Sequence, residues 1–157
     1  MDINNNFDAN WGEIVHADKP SSQGFIGTKP MSENETKLIA NYTRKMKAFI
    51  TISYHTKGEE IYFNFFQEKE RLARDEKIAK RFADSTGYMI KNVESVSSGG
   101  LKDWCVKKLK IPALTIELGS DELKHPIKKE SLEEIFEKNK SIAFDLEFAY
   151  NEFEKSR

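Results

Sequence analysis

The 157-residue sequence predicts an α/β fold, a sheet of about four strands with flanking helices. Three observations predict it. Short apolar runs rich in β-branched and aromatic residues recur at 47–54, 59–66, 88–93 and 112–118. Stretches with helical spacing of apolar residues separate or follow them. The run "PALTIEL" is almost continuously apolar, as a strand covered on both faces requires.

Residues 1–30 read as loop, punctuated by Pro20, Gly24, Gly27 and Pro30. "MSENETKLIANYTRKM" begins a helix, with Ser32 as N-cap, Glu35 three residues on in the capping-box pattern, and Leu38, Ile39 and Tyr42 as its apolar face. "KAFITISY" alternates and predicts the first strand. Gly58 permits a turn into "EEIYFNFF", the second. "QEKERLARDEKIAKRFADSTG" predicts a helix with Leu72, Ile78, Ala79 and Phe82 inward, stopped by Gly87. "YMIKNV" is a third strand, "SVSSGG" a flexible loop, "LKDWCVKKL" a short helix, and "PALTIEL" the fourth strand. The segment 131–153 places Leu132, Ile135, Phe136, Ile142, Ala143, Leu146, Ala149, Tyr150 and Phe153 on one long helical stripe that should close over the sheet. Four strands leave open edges, which invite another chain or a further part of the same one.

Bulk properties exclude several classes. A chain of this length buries roughly two thirds of its surface, enough for one domain with a real core. Its 25 basic and 26 acidic side chains nearly cancel and no basic block stands out, which argues against nucleic acid and a charged membrane surface as partners. Cys105 is the single cysteine, so no internal disulfide forms. No run approaches the ~20 apolar residues of a membrane span, and no signal peptide opens the chain. As given, the sequence is expected in the cytoplasm. Its Asn-rich opening, "MDINNNFDANW", nevertheless reads as a start partway through a domain, so an export signal is not assessable.

Two residues raise a chemical question. His55 follows the first strand and Glu117 ends the fourth, both at strand C-termini, where α/β sheets form their ligand crevices. A lone strand-end histidine is more commonly a hydrogen-bonded surface residue, and a rim carboxylate is more commonly solvated. Two together tilt the reading towards a site. His16 and His125 lie in loops without the spacing that puts two ligands on one metal. Cys105, beside Trp104, reads as packing.

In order along the chain, "DINNNFDANW", "GTKPMSENET", "ISYHTKGEEIYF", "SSGGLKDW" and "ALTIELG" resemble successive landmarks of the zinc carboxypeptidase family, more narrowly its bacterial branch of γ-D-glutamyl-diamino acid peptidases acting on peptidoglycan peptides. The resemblance covers residues 1 to about 125. It implies the C-terminal half of the family's mixed sheet, a single partial catalytic domain over 1–157, zinc as cofactor and a peptidoglycan-derived peptide as substrate. By the same resemblance His55 is the third zinc ligand, Glu117 the general base, and Asn4 part of the motif that holds the substrate's terminal carboxylate.

Three departures qualify what the resemblance implies. Asn5 stands where the family has an arginine, and an amide cannot replace the guanidinium's bidentate, charged grip on a carboxylate. Ser95 stands where many members carry a mobile tyrosine. The family's first two zinc ligands come from a His-x-x-Glu motif that these 157 residues do not contain. Zinc then requires a complementary N-terminal half, as upstream sequence or another chain. Lys102 occupies the family's specificity position, and a lysine there suits an anionic group such as the carboxylate of D-glutamate or diaminopimelate. The alternative is a non-catalytic remnant, or a domain that binds a peptide or partner without hydrolysing it.

Overall fold

A computed structural model describes residues 1–20, 24–92 and 98–157. The four expected strands form one sheet: β1 (Thr51–His55), β2 (Glu60–Tyr62), β3 (Met89–Lys91) and β4 (Ala113–Glu117), in the order β1-β4-β2-β3. The β1–β4 and β2–β3 pairs are parallel, and β2–β4 is antiparallel, so the sheet is mixed. The apolar run at 112–118 therefore does supply an interior strand.

The pleat sorts the strands into two faces. Ile61, Leu114 and Ile116 point into a core with Ile78, Ala79 and Phe82 of helix α2 (Lys69–Thr86) and Ile142 and Ala149 of helix α5 (Ile142–Lys155). Each large apolar side chain buried there stabilises the fold by about 1.5–3 kcal/mol. Gly87 ends α2 as expected, in the left-handed conformation at φ 74°, donating its N–H to the Ala83 carbonyl at 2.8 Å. The opposite face begins at Ala113 and meets a second core of Phe7, Ala9, Phe65, Trp104, Cys105 and Val106, with Ala40 of helix α1 (Asn34–Lys45). Helix α3 (Leu101–Trp104) continues as a π-helical turn, Cys105–Leu109, within the helix expected over 101–109.

Three local expectations are corrected. No capping box forms at α1: the helix starts at Asn34 without a side-chain cap. Asn6, buried and distant in sequence, takes over. Its amide donates to the Ile26 carbonyl at 2.7 Å, to the Lys29 carbonyl and to Ser32 Oγ, and its Oδ1 accepts from Glu33 N–H. The apolar face of α1 is also not inward. Thr36, Ala40 and Thr43 are buried, whereas Leu38, Ile39 and Tyr42 are exposed. Small residues face the core there because the bulky Trp104 and Phe7 already fill it. Finally, the long C-terminal stripe divides into α4 (Leu132–Asn139) and α5, leaving Leu132, Phe136 and Tyr150 exposed. The break at residues 140–141 ends the period that aligned them.

Candidate active site

His55 and Glu117 are the last residues of β1 and β4 and are directly paired in the parallel register. Antiparallel pairing sets Glu60, the first residue of β2, opposite Glu117 on the other side. Residues opposite one another across a ladder project from the same sheet face, and neighbouring strands lie about 4.8 Å apart. One imidazole and two carboxylates thus line one end of the sheet in the order His55, Glu117, Glu60. The strand end is anchored by Leu118 N–H donating to the His55 carbonyl at 2.8 Å and Gly58 N–H donating to the Gly119 carbonyl at 2.7 Å.

The two carboxylates differ in environment. Glu60 accepts a hydrogen bond from the Tyr62 hydroxyl, which holds its pKa below the ordinary carboxylate value, and Lys91 lies 3.0 Å away. Partial burial pushes Glu117 upwards; repulsion from Glu60 and Asp121 adds to this and the charge of His55 opposes it. Glu117 is thus the more basic of the pair, the property wanted in a group that must take up a proton near neutral pH. Sequence reading missed Glu60, Tyr62 and Asp121. A glutamate opening an alternating strand carries no signal by itself, and only the β2–β4 pairing reveals its neighbour.

Asn4 and Asn5 lie in a 3-10 turn, Ile3–Asn5, packed against the double glycine. Phe7 N–H donates to the Gly99 carbonyl at 2.8 Å, and Gly99 N–H donates to the Ala9 carbonyl at 2.6 Å. Gly99 sits at φ 75°, and a Cβ there would lie 2.6 Å from the Asn5 carbonyl oxygen, so backbone approach demands glycine. Asn4 is exposed. The Asn5 amide donates to Asp2 Oδ2 at 2.9 Å, a neutral donor already turned to a carboxylate. Ser95 falls outside the described residues, as do Val96 and Ser97 of the loop expected at 95–100.

Lys102 takes a position that sequence reading did not anticipate. Its side chain is buried, with the ammonium 2.6 Å from Asp103 Oδ1 and donating to the Asn64 carbonyl at 2.8 Å. The charge expected to face a substrate anion is engaged inside the protein. Removing one partner of a buried pair costs roughly 3–5 kcal/mol. Lys102→Met should accordingly lower the unfolding free energy by about that much in a urea titration followed by circular dichroism. A change below about 1 kcal/mol would show that Asp103 does not depend on it.

A catalytic zinc takes three protein ligands and keeps one open position. Among the described residues no group of three or more His, Cys, Asp or Glu side chains could hold a metal ion. Cys105 is no reserve ligand: it is buried, and burial pushes its thiol up to about 11, away from the thiolate that metals bind. His16 and His125 are loop residues, the former contacting the Ile14 carbonyl through Nδ1. The described residues do not form a zinc site on their own.

Comparison with known proteins bears on the whole arrangement. Residues 1–141 match the model of the zinc carboxypeptidase family. The chain is 30% identical over 124 residues to a γ-D-glutamyl-L-diamino acid endopeptidase of Lysinibacillus sphaericus, covering 76% of this chain and 30% of that protein. It is 32% identical over 119 residues to carboxypeptidase A2 of Rattus norvegicus, covering 66% and 28%. The chain thus spans about 30% of the length of these relatives. Among solved structures, bovine thrombin-activatable fibrinolysis inhibitor superposes with a TM-score of 0.77 at 19% identity, over 99% of this chain and 57% of that one. The murein-tripeptide amidase of Escherichia coli O157 superposes at 0.59 and 21% identity, over 87% and 54%. Both likenesses show a shared fold. With the family model matched over residues 1–141, the chain belongs to the zinc carboxypeptidase family.

Proposed function

We propose that this chain forms the general-base side of a peptidase site that cleaves γ-D-glutamyl-diamino acid linkages of cell-wall peptides, and that the site is complete only when further metal ligands are supplied. The observation that carries the reading is the in-register pair of His55 and Glu117 at adjacent strand ends. The substrate class follows from the similarity to the Lysinibacillus endopeptidase and from the loss of the guanidinium at Asn5.

The roles divide by chemistry. His55 offers one imidazole nitrogen as a metal ligand. Glu117 takes a proton from the attacking water and delivers it to the departing amine. Asn4 and Asn5, held against Gly99, offer uncharged donors to a polar group of the peptide, with Asp2 disfavouring a free C-terminal carboxylate nearby. Whole-residue removal from an ordinary peptide C-terminus is then poorly served, whereas an internal γ-glutamyl amide needs no such clamp.

The purified chain and a protein joining it to a His-x-x-Glu-bearing segment provide the test. The chain alone is expected to hold no stoichiometric zinc by elemental analysis and to leave L-alanyl-γ-D-glutamyl-diaminopimelate intact. The joined, zinc-loaded protein should cleave that peptide. Tight stoichiometric zinc in the isolated chain, or a zinc-loaded joined protein inert towards the peptide, would overturn the reading. A non-catalytic peptide-binding role is favoured by the incomplete donor set, and calorimetric binding of the same peptide without cleavage by the joined protein would establish it.

Specificity gives a further expectation. In the joined protein, hippuryl-phenylalanine, which presents a free C-terminal carboxylate, should be a poor substrate. Asn5→Arg should improve its kcat/KM by roughly tenfold or more, in line with the 1.5–3 kcal/mol of a hydrogen bond to a charged group. No improvement would show that Asn5 does not face the terminal carboxylate.

A further inference from the structure

We propose that Glu60, Tyr62 and Lys91 form a subsite, beside Glu117, for the far end of the diamino acid, where one carbon carries both an ammonium and a carboxylate. The proposal rests on the peptidase reading given above and adds which part of the leaving residue is recognised, and by which side chains.

Strand register places these groups. Glu60 stands opposite Glu117 and Tyr62 opposite Thr115, while Lys91 of β3 stands opposite Tyr62. All of them project from the sheet face that carries His55 and Glu117. Thr115, Glu117, Glu60, Tyr62 and Lys91 are each part-exposed. Ile61 and Ile116, which alternate with them, are buried in the apolar core on the other side.

The three side chains already act on one another. The Tyr62 hydroxyl donates to Glu60 Oε2, and Lys91 Nζ lies 3.0 Å from Glu60 Oε1. The Tyr62 hydroxyl also feels the charges of Glu117 and Asp121, which sets the group next to the base. Lys102 does not supply a cation here, because Asp103 and the Asn64 carbonyl engage its ammonium inside the protein.

Strand order decides what the group meets. β4 has two neighbours, β1 with His55 and β2 with Glu60. The attacked carbonyl lies towards His55, and Glu117 hands its proton to the departing amine, so the diamino acid continues over β2. From its α-carbon the second amino-acid centre of diaminopimelate lies three methylenes away, about 5 Å, close to one strand spacing. There Glu60 accepts from the ammonium, while Lys91 and the Tyr62 hydroxyl donate to the carboxylate. Charge balance favours a zwitterion: interposed between Glu60 and Lys91, it leaves each charge beside an opposite one. A lone ammonium would meet Lys91 and a lone carboxylate would meet Glu60, and like charges disfavour both.

The probes are three peptides, L-alanyl-γ-D-glutamyl followed by meso-diaminopimelate, L-lysine or L-norleucine, titrated calorimetrically into the full chain without metal. They differ only at the far end of the last residue. The diaminopimelate peptide is expected to bind roughly tenfold or more tightly than the norleucine peptide, with the lysine peptide between them. Glu60→Gln should erase the preference of both charged peptides over norleucine. Lys91→Met should erase the preference for diaminopimelate over lysine and keep that for lysine over norleucine. A Glu60–Lys91 pair that only ties β2 to β3 would lower the thermal midpoint in both variants and leave these ratios in place. Unchanged ratios, or no binding of the diaminopimelate peptide, would overturn the inference. Discriminating binding without hydrolysis by the joined, zinc-loaded protein would fail the peptidase reading alone. Hydrolysis of all three peptides at equal kcat/KM would fail the subsite alone.

Discussion

Glu117→Gln, in the joined zinc-loaded protein, should lower kcat on the γ-glutamyl peptide by about 10²–10⁴-fold, the range for removing a positioned general base. KM and zinc content should change little, because the amide keeps the size of the side chain and His55 is untouched. The substitution also removes a charge that burial and two neighbouring carboxylates disfavour. The unfolded chain ionises Glu117 more readily than the folded one, so this residue subtracts stability once pH rises above the ordinary carboxylate range. The glutamine variant is thus expected to be no less stable than the parent at pH 7, and the difference should close as pH falls through that range. Steady-state kinetics with thermal melts at two pH values measure both. A kcat loss under tenfold would remove Glu117 from the base role, and a destabilised variant would contradict the environment described for it.

The second large effect concerns the scaffold. Arg74→Met should cost roughly 3–5 kcal/mol of stability, because it leaves the buried Asp75 carboxylate without its countercharge and with the Gln67 amide at 3.1 Å as its remaining side-chain donor. Arg74 Nε donates to Asp75 Oδ1 at 2.7 Å, and its other nitrogens donate to Ser156 Oγ at 3.0 Å and to the Lys110 carbonyl at 3.3 Å. The guanidinium also lies 5.7 Å from the Phe153 ring centroid. One side chain therefore ties α2 to the end of α5 and to the turn before β4. Burial raises the Asp75 pKa even with Arg74 opposing it. Without the arginine the carboxyl moves further up, so the penalty is full at neutral pH and shrinks as acid protonates Asp75. Urea unfolding at pH 7 and pH 4 separates this from simple loss of packing, which would be the same at both.

These two residues mark the difference between what was legible and what was not. Glu117 could be picked out because a carboxylate ending a continuous apolar strand is conspicuous, and His55 because it ends an alternating one. Arg74 and Asp75 look like any charged pair on a helix; their burial appears only once α5 and Lys110 close over them. The sequence places Lys102 as a charge facing substrate, yet its length lets the ammonium turn inward to Asp103 and Asn64. Long side chains have that freedom, and sequence position does not record which way it is used. The apolar row on α1 was expected to face the core for the same reason: periodicity says that a helix has an apolar side, but not whether this chain contains what covers it.

By itself the sequence determined the α/β class, the four strands and their approximate limits, the stop of α2 at Gly87 and the family landmarks from Asn4 to Glu117. These rest on local physics: side-chain period, backbone permissiveness and residue type. Only the tertiary structure decided that β4 lies between β1 and β2, that Glu60 flanks Glu117, that Asn6 rather than Ser32 orders the start of α1, and that β1 presents an open edge beside His55. Strand order and burial depend on contacts between residues far apart in the chain, whose loop-closure entropy and packing no local pattern encodes.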